Sequence, residues 1–257
     1  AAVKFGVFDH MDRAGHDLGR QFEDRLRLVE LYEKHGFHAY HLAEHHATPL
    51  GMAPSPSVFL AAVAQRTKTL RFGPLVYTVN LHHPLRLIDE ICMLDQMSGG
   101  RLELGVGRGI SPYEVGYYGV DPATGSERFA EALEVLLKGL TQPRLTHEGK
   151  YFSFEDVPME MQPVQRPHPP LWVGANSLES ADRLAAQGCA AAGGAAGSGG
   201  PQARGSAGQA GARLGRHHRP DERLHAAGDR LLGGLCGRAI RPPQAVRESD
   251  RAAAVEH

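Results

Sequence analysis

Cysteine and net charge are what this 257-residue chain has least of. Its three cysteines, Cys92, Cys189 and Cys236, are odd in number and form no CxxC pair, so a reducing compartment is expected rather than a disulfide framework. Lysine and arginine number 28 against 29 acidic residues, a formal charge of −1. That balance offers no electrostatic reason for nucleic acid or an anionic membrane as a partner. No apolar run reaches the roughly eighteen residues needed to cross a bilayer. The opening AAVKFGVFDHMD lacks the charged start and long apolar stretch of a secretory leader, so a cytoplasmic location is expected. Residues 189–257 contain no Phe, Tyr, Trp, Met, Lys, Thr or Asn and are dominated by Ala, Gly and Arg. Leu231-Leu232 and Leu235 are their only apolar cluster, too little to offset about 1–2 kcal/mol per residue of ordering entropy. Two readings stay open for that segment. It is a disordered tail, or a shifted or wrongly assigned frame in a GC-rich gene, since Ala, Gly, Arg and Pro have GC-rich codons.

What is present before residue 189 is a βα rhythm. The organising stretch is His82–Gly109, HHPLRLIDEICMLDQMSGGRLELGVGRG. Pro84 suits a first helical position, and Leu87, Ile88, Ile91, Leu94 and Asp95 recur at helical spacing. Gly99-Gly100 stops the helix, and Leu102, Leu104 and Val106 make a short buried strand ending at Arg108. Val3–Phe8, Ala39–Ala43 and Leu70–Val79 read as earlier strands, the third interrupted by Gly73-Pro74, and Leu171–Ala175 as a fifth. Strand starts near 39, 70 and 101 recur about every 31 residues, as parallel βα units do. Helices are expected around Phe22–Tyr32, over Ser57–Gln65 behind Ser55, from a cap at Ser126, and over Ser177–Gln187. Ile110–Gly125 reads as a long loop. The stretch 141–170 reads as an insertion, with a small hairpin at Lys150–Phe154.

Chemistry is expected where these strands end. Glu44-His45-His46 follows the second strand directly, where α/β scaffolds place ligands. In extended backbone adjacent histidines point to opposite sides, so one of the two is expected to face a central pocket. A metal reading would add His41, His82 and His83, but no HxH or HExxH spacing supports it, and no metal is expected. Arg108 offers a fork suited to phosphate, and Ser177 and Ser180 sit at the first turn of the helix after the fifth strand. Together they make a candidate anion clamp. GVGRGI fails as a dinucleotide fingerprint, because Ile110 occupies the sixth position and SPYE, rather than a helix, is read after it. Leu75-Val76-Tyr77 lines the same mouth or packs in the core. Tyr113, Tyr117 and Tyr118 could cover a ligand.

Taken together, VKFGVF, AEHH, the His82–Gly109 stretch and LWVGANSLESADRLAAQG resemble the bacterial luciferase-like flavin-dependent monooxygenases over residues 3–188. The resemblance implies a TIM (β/α)8 barrel whose strands 6–8 are not recognisable here, with 1–188 holding the first five βα units. It implies reduced FMN, supplied by a separate flavin reductase, reacting with O2 through a C4a-peroxyflavin to oxygenate a small organic substrate. By that resemblance His45 is the active-site histidine and Glu44 its acidic neighbour. Leu75 and Val76 form a non-prolyl cis peptide behind the flavin ring, and Arg108, Asn176, Ser177 and Ser180 contact the cofactor. A homodimer is implied as well. The alternatives are an F420-dependent oxidoreductase on the same barrel, a non-catalytic flavin-binding remnant and, last, a metal-dependent hydrolase.

Overall fold

The computed structural model describes residues 3–109 and 111–175, and the backbone of 190–192. Strand and helix alternate: β1 (Gly6–Asp9), α1 (Leu18–Lys34), β2 (Ala39–Leu42), α2 (Pro56–Arg66), β3 (Arg71–Pro74), β4 (Tyr77–Thr78), α3 (Pro84–Ser98) and β5 (Leu104–Gly107). There follow α4 (Pro112–Tyr117), α5 (Gly125–Thr141), the pair β6 (Arg144–Glu148) and β7 (Ser153–Pro158), then β8 (Leu171–Gly174) and β9 (Ala190–Ala192). β1, β2 and β3 pair in parallel, as do β4, β5, β8 and β9. A parallel bridge from Phe72 to Leu102 joins the two sets into one arc.

The arc does not close among the described residues. β1 pairs on one side only, with β2, and β9 is the last strand described. Closure would need further strands between those two edges. The arc nevertheless runs one strand beyond Gly188, where the βα pattern was read to end. Three alanines at β9 carry no apolar bulk that a periodicity could register. The expected helix over Ser177–Gln187 lies outside the described residues.

Three local expectations change. Ile110–Gly125 is no plain loop, since α4 and a short 3-10 turn at Pro122–Thr124 fall inside it. SPYE starts that helix: Ser111 is its N-cap and accepts the Glu114 N–H at 3.3 Å. Ser126 is not a cap. α5 begins two residues earlier than that cap would place it, behind Thr124, and the Ser126 hydroxyl instead accepts a hydrogen bond from Arg108. The hairpin strands β6 and β7 flank the turn where the hairpin was placed, and Glu131 of α5 accepts the N–H groups of Lys150, Tyr151 and Phe152 there.

α3 follows its sequence signals closely. Pro84 takes the first helical position, and Gly99 ends the helix at φ 65°. Only a residue without a Cβ adopts that conformation at no steric cost. Leu87, Ile88, Ile91, Leu94 and Asp95 are all buried. The four aliphatic side chains pack with Phe59, Leu60 and Val63 of α2 and with Leu102, Leu104 and Val106 of the fourth βα strand, while Asp95 accepts from Gln165. Side chains alternate across a strand, so Glu103, Gly105 and Gly107 face the other side of the arc. Arg101 locks the helix to the sheet, donating to the carbonyls of Ala64, Thr67, Leu70 and Ser98 and to the Thr67 hydroxyl.

Candidate active site at the strand carboxyl ends

The third strand of the arc breaks between β3 and β4, and the break shapes the mouth. Leu75-Val76 is a cis peptide, as the resemblance implied. Leu75 N–H donates to the Leu42 carbonyl at the end of β2 (2.8 Å). Val76 lies against β5, where a Cβ on Gly107 would come within 2.5 Å of Val76 Cγ2. Gly105 is equally constrained, because a side chain there would overlap the Pro74 carbonyl oxygen. The glycines of GVG therefore make room for the Leu75-Val76 segment rather than for a nucleotide. Both aliphatic side chains remain half-buried, forming an apolar shelf between the ends of β2 and β5. Tyr77 turns away into the core, where its hydroxyl pairs with Ser57 at 2.7 Å.

Beyond one edge of the shelf stands Arg108, half-buried, with Nη1 donating to Ser126 Oγ at 2.7 Å. Its carbonyl accepts from Asn80 Nδ2, which also donates to the Gly125 carbonyl and so ties the strand end to the start of α5. Among the described residues Arg108 has no carboxylate partner. The other half of the expected clamp, Asn176, Ser177 and Ser180, lies outside the described residues.

At the other edge the two histidines part company. His46 turns inward, with Nε2 2.7 Å from Glu44 Oε1 and Nδ1 2.7 Å from the Tyr118 hydroxyl. His45 is half-buried, its ring parallel to that of His10 at 5.5 Å and its Nδ1 3.4 Å from Glu114 Oε1. The Glu44 side chain has no exposed surface. It accepts from His46, from His82 Nε2 at 2.9 Å and from the Thr78 N–H at 2.9 Å. It thus knits the β2 loop to β4 and to the start of α3, and its carboxylate is fully engaged by protein donors. Among the described residues no three histidine, cysteine or acidic side chains are arranged to hold a metal ion.

Burial alone would raise the Glu44 carboxyl, but the bonds from His46, His82 and Thr78 outweigh it and hold the group below its ordinary 4.5. Burial likewise favours neutral His82, yet the Glu44 carboxylate raises it above its ordinary 6.5. A depressed carboxylate contributes stability above its unfolded value and loses it as pH falls through the folded one. A raised imidazole contributes below its unfolded value and loses it as pH rises through the folded one. Resistance to urea is therefore expected to hold between pH 4.5 and 6.5 and to decline on either side. The alkaline decline is expected to flatten in His82→Gln, as a pH series of urea midpoints would show.

Glu114 has no part in the site when read from sequence, His82 enters only with the metal reading, and Tyr118 only as cover for a ligand. Glu114 left a local signal, since Ser111-Pro112-Tyr113-Glu114 has the S-x-x-E spacing of a helix start. His82 and Tyr118 reach the Glu44 cluster from 38 residues away and, through His46, from 72. No local pattern encodes contacts at that range.

Residues 3–230 match the model of the luciferase-like monooxygenases. The chain belongs to that family. An uncharacterized protein of Sinorhizobium fredii, y4wF, is 50% identical over 186 residues, covering 72% of this chain and 54% of its own length. The oxygenase component of the flavin-dependent trigonelline monooxygenase of Acinetobacter baylyi is 30% identical over 191 residues, 73% of this chain and 53% of its own. Among solved structures, the oxygenating constituent of 3,6-diketocamphane monooxygenase from Pseudomonas putida, in complex with FMN, superimposes with a TM-score of 0.67 at 25% identity. It covers 75% of this chain and 57% of that one. The chain spans about half the length of the curated relatives it matches. Among the described residues no helix is long and apolar enough to cross a membrane.

Proposed function

We propose that this chain is the oxygenase of a two-component, FMN-dependent monooxygenase that takes reduced flavin from a separate reductase and oxygenates a small organic molecule with O2. One observation carries the reading. Arg108, a cation with no carboxylate partner among the described residues, adjoins an apolar shelf whose far edge meets the EHH loop. The FMN-bound diketocamphane relative and the trigonelline oxygenase component support it.

The residues present fit such a cofactor. Leu75 and Val76 provide apolar surface for a flat ring, and Arg108 with the Ser126 hydroxyl provides donors for a phosphate. Asn176, Ser177 and Ser180 would complete the phosphate end. FMN, when bound and reduced, supplies the electrons for reaction with O2; the protein supplies binding, orientation and exclusion of water. His45 is the group available to hold or move a proton at that edge, while Glu44 acts by holding His46 and His82 in place.

Titrating the chain with FMN, riboflavin and F420 tests the reading, followed by oxygen uptake with an added flavin reductase. Preference for F420, or flavin binding without oxygen uptake, would overturn it. Arg108→Ala is expected to weaken FMN binding about 10- to 100-fold, given about 1.5–3 kcal/mol for a hydrogen bond to a charged group. Riboflavin, which has no phosphate, should be unaffected. An equal loss for both ligands would remove Arg108 from the phosphate end.

A further inference from the structure

α4 is too short to bury much surface, yet its one carboxylate reaches back to the loop after β2. Glu114 Oε2 accepts the His46 backbone N–H at 2.9 Å, and Oε1 lies 3.4 Å from His45 Nδ1. The partners are 68 and 69 residues away in the chain. A backbone N–H can only donate, so the first contact anchors Glu114 as an acceptor. A carboxylate without its proton has only lone pairs to offer, and the ring nitrogen facing its second oxygen must then carry the hydrogen. Two other ionisable side chains lie near His45. The His10 ring stacks on its face, which fixes the ring plane but offers nothing in plane to Nδ1. Glu44, next to it in sequence, is occupied by His46, His82 and Thr78.

We propose that Glu114 is the positioning residue of His45, holding the neutral ring with its proton on Nδ1 and its lone pair on Nε2. The use of that lone pair in catalysis rests on the function proposed above. The protonation pattern does not, being a property of the protein with nothing bound. It sets Nε2 as the proton acceptor, with Glu114 stabilising the imidazolium that forms when a proton is taken up. It also gives the 111–118 segment a role at the site, since Tyr118 grips His46 as Glu114 grips His45.

Nitrogen-15 spectra of the histidine side chains of the full chain decide the matter. They would be recorded without flavin, about two units above the ordinary imidazole value of ~6.5. The His45 signals are assigned by their loss in His45→Ala. Wild-type His45 is expected to show a protonated Nδ1 and an unprotonated Nε2, the reverse of the form a free imidazole side chain prefers. Glu114→Ala should return it to the Nε2–H form. Glu114→Gln should do so more completely: its single oxygen stays on the His46 N–H, leaving its NH2 group to donate to Nδ1. A wild-type His45 already in the Nε2–H form would overturn the proposal, as would an Nδ1–H form that persists in both variants. Adding FMN to the same samples separates this inference from the functional reading. Failure to bind FMN would sink that reading and leave the protonation result standing.

Discussion

Glu44→Ala is expected to destabilise the free protein by about 3–5 kcal/mol, the usual cost of removing one partner from a buried charged cluster. The substitution leaves His46 Nε2, His82 Nε2 and the Thr78 N–H without the acceptor they share, a carboxylate whose side chain is fully buried. The loss should appear as a lower urea midpoint in flavin-free protein, before any catalytic step is in question. Glu44→Gln keeps the volume and one acceptor oxygen but points an amide NH2 at a donor, so an intermediate loss is expected. A loss below about 1 kcal/mol in Glu44→Ala would show that this carboxylate does not hold the β2 loop to β4. It would also restore the case for Glu44 acting directly in the chemistry.

Gly73→Ala is the second large effect, and its cause is backbone rather than charge. A Cβ at residue 73 would overlap the Glu103 carbonyl oxygen. That oxygen cannot retreat cheaply, because the chain around it is held to β3 by Glu103 N–H to the Phe72 carbonyl (2.8 Å) and Phe72 N–H to the Arg101 carbonyl (3.2 Å). Glu103 is fastened further by Arg71 Nε at 2.7 Å and His41 Nε2 at 3.0 Å. Overpacking usually costs about 1–3 kcal/mol, and a rigid backbone neighbour puts this site at or above the upper end. The urea midpoint should fall accordingly, whereas Gly15→Ala, with nothing within 4 Å of its Cβ, should leave it unchanged. Equal midpoints for the two variants would mean that β3 and the approach to β5 are not clamped as described.

The two variants probe different layers, and the layers differ in how much the sequence reveals. α3 was legible because its start, apolar stripe and stop all lie within sixteen residues, and each acts through short-range sterics or burial. β2, β5 and β8 were legible as short apolar runs between turn residues. α4 was missed although SPYE carries a capping spacing, because six residues offer no stripe. Ser126 was misplaced for the opposite reason. Its residue type suits a cap, but a tertiary contact with Arg108 uses the hydroxyl instead. Around the site, sequence picked out Glu44, His45 and Arg108 at strand ends but could not apportion their roles.

By itself the sequence determined the parallel βα order, the stop at Gly99 and the set of polar groups that emerge at the strand ends. These follow from propensity, periodicity and turn chemistry, which act over a few residues. It also showed the third strand interrupted, but Gly73 and Pro74 pair within β3 and the break falls at Leu75-Val76. Only the tertiary structure decided that Glu44 is spent on His46, His82 and Thr78, that Gly105 and Gly107 yield space to Leu75 and Val76, and that Glu114 faces His45. A hydrogen-bond partner 30 to 70 residues away is chosen by which side chains the packed sheet brings within about 3 Å, and no local rule carries that information.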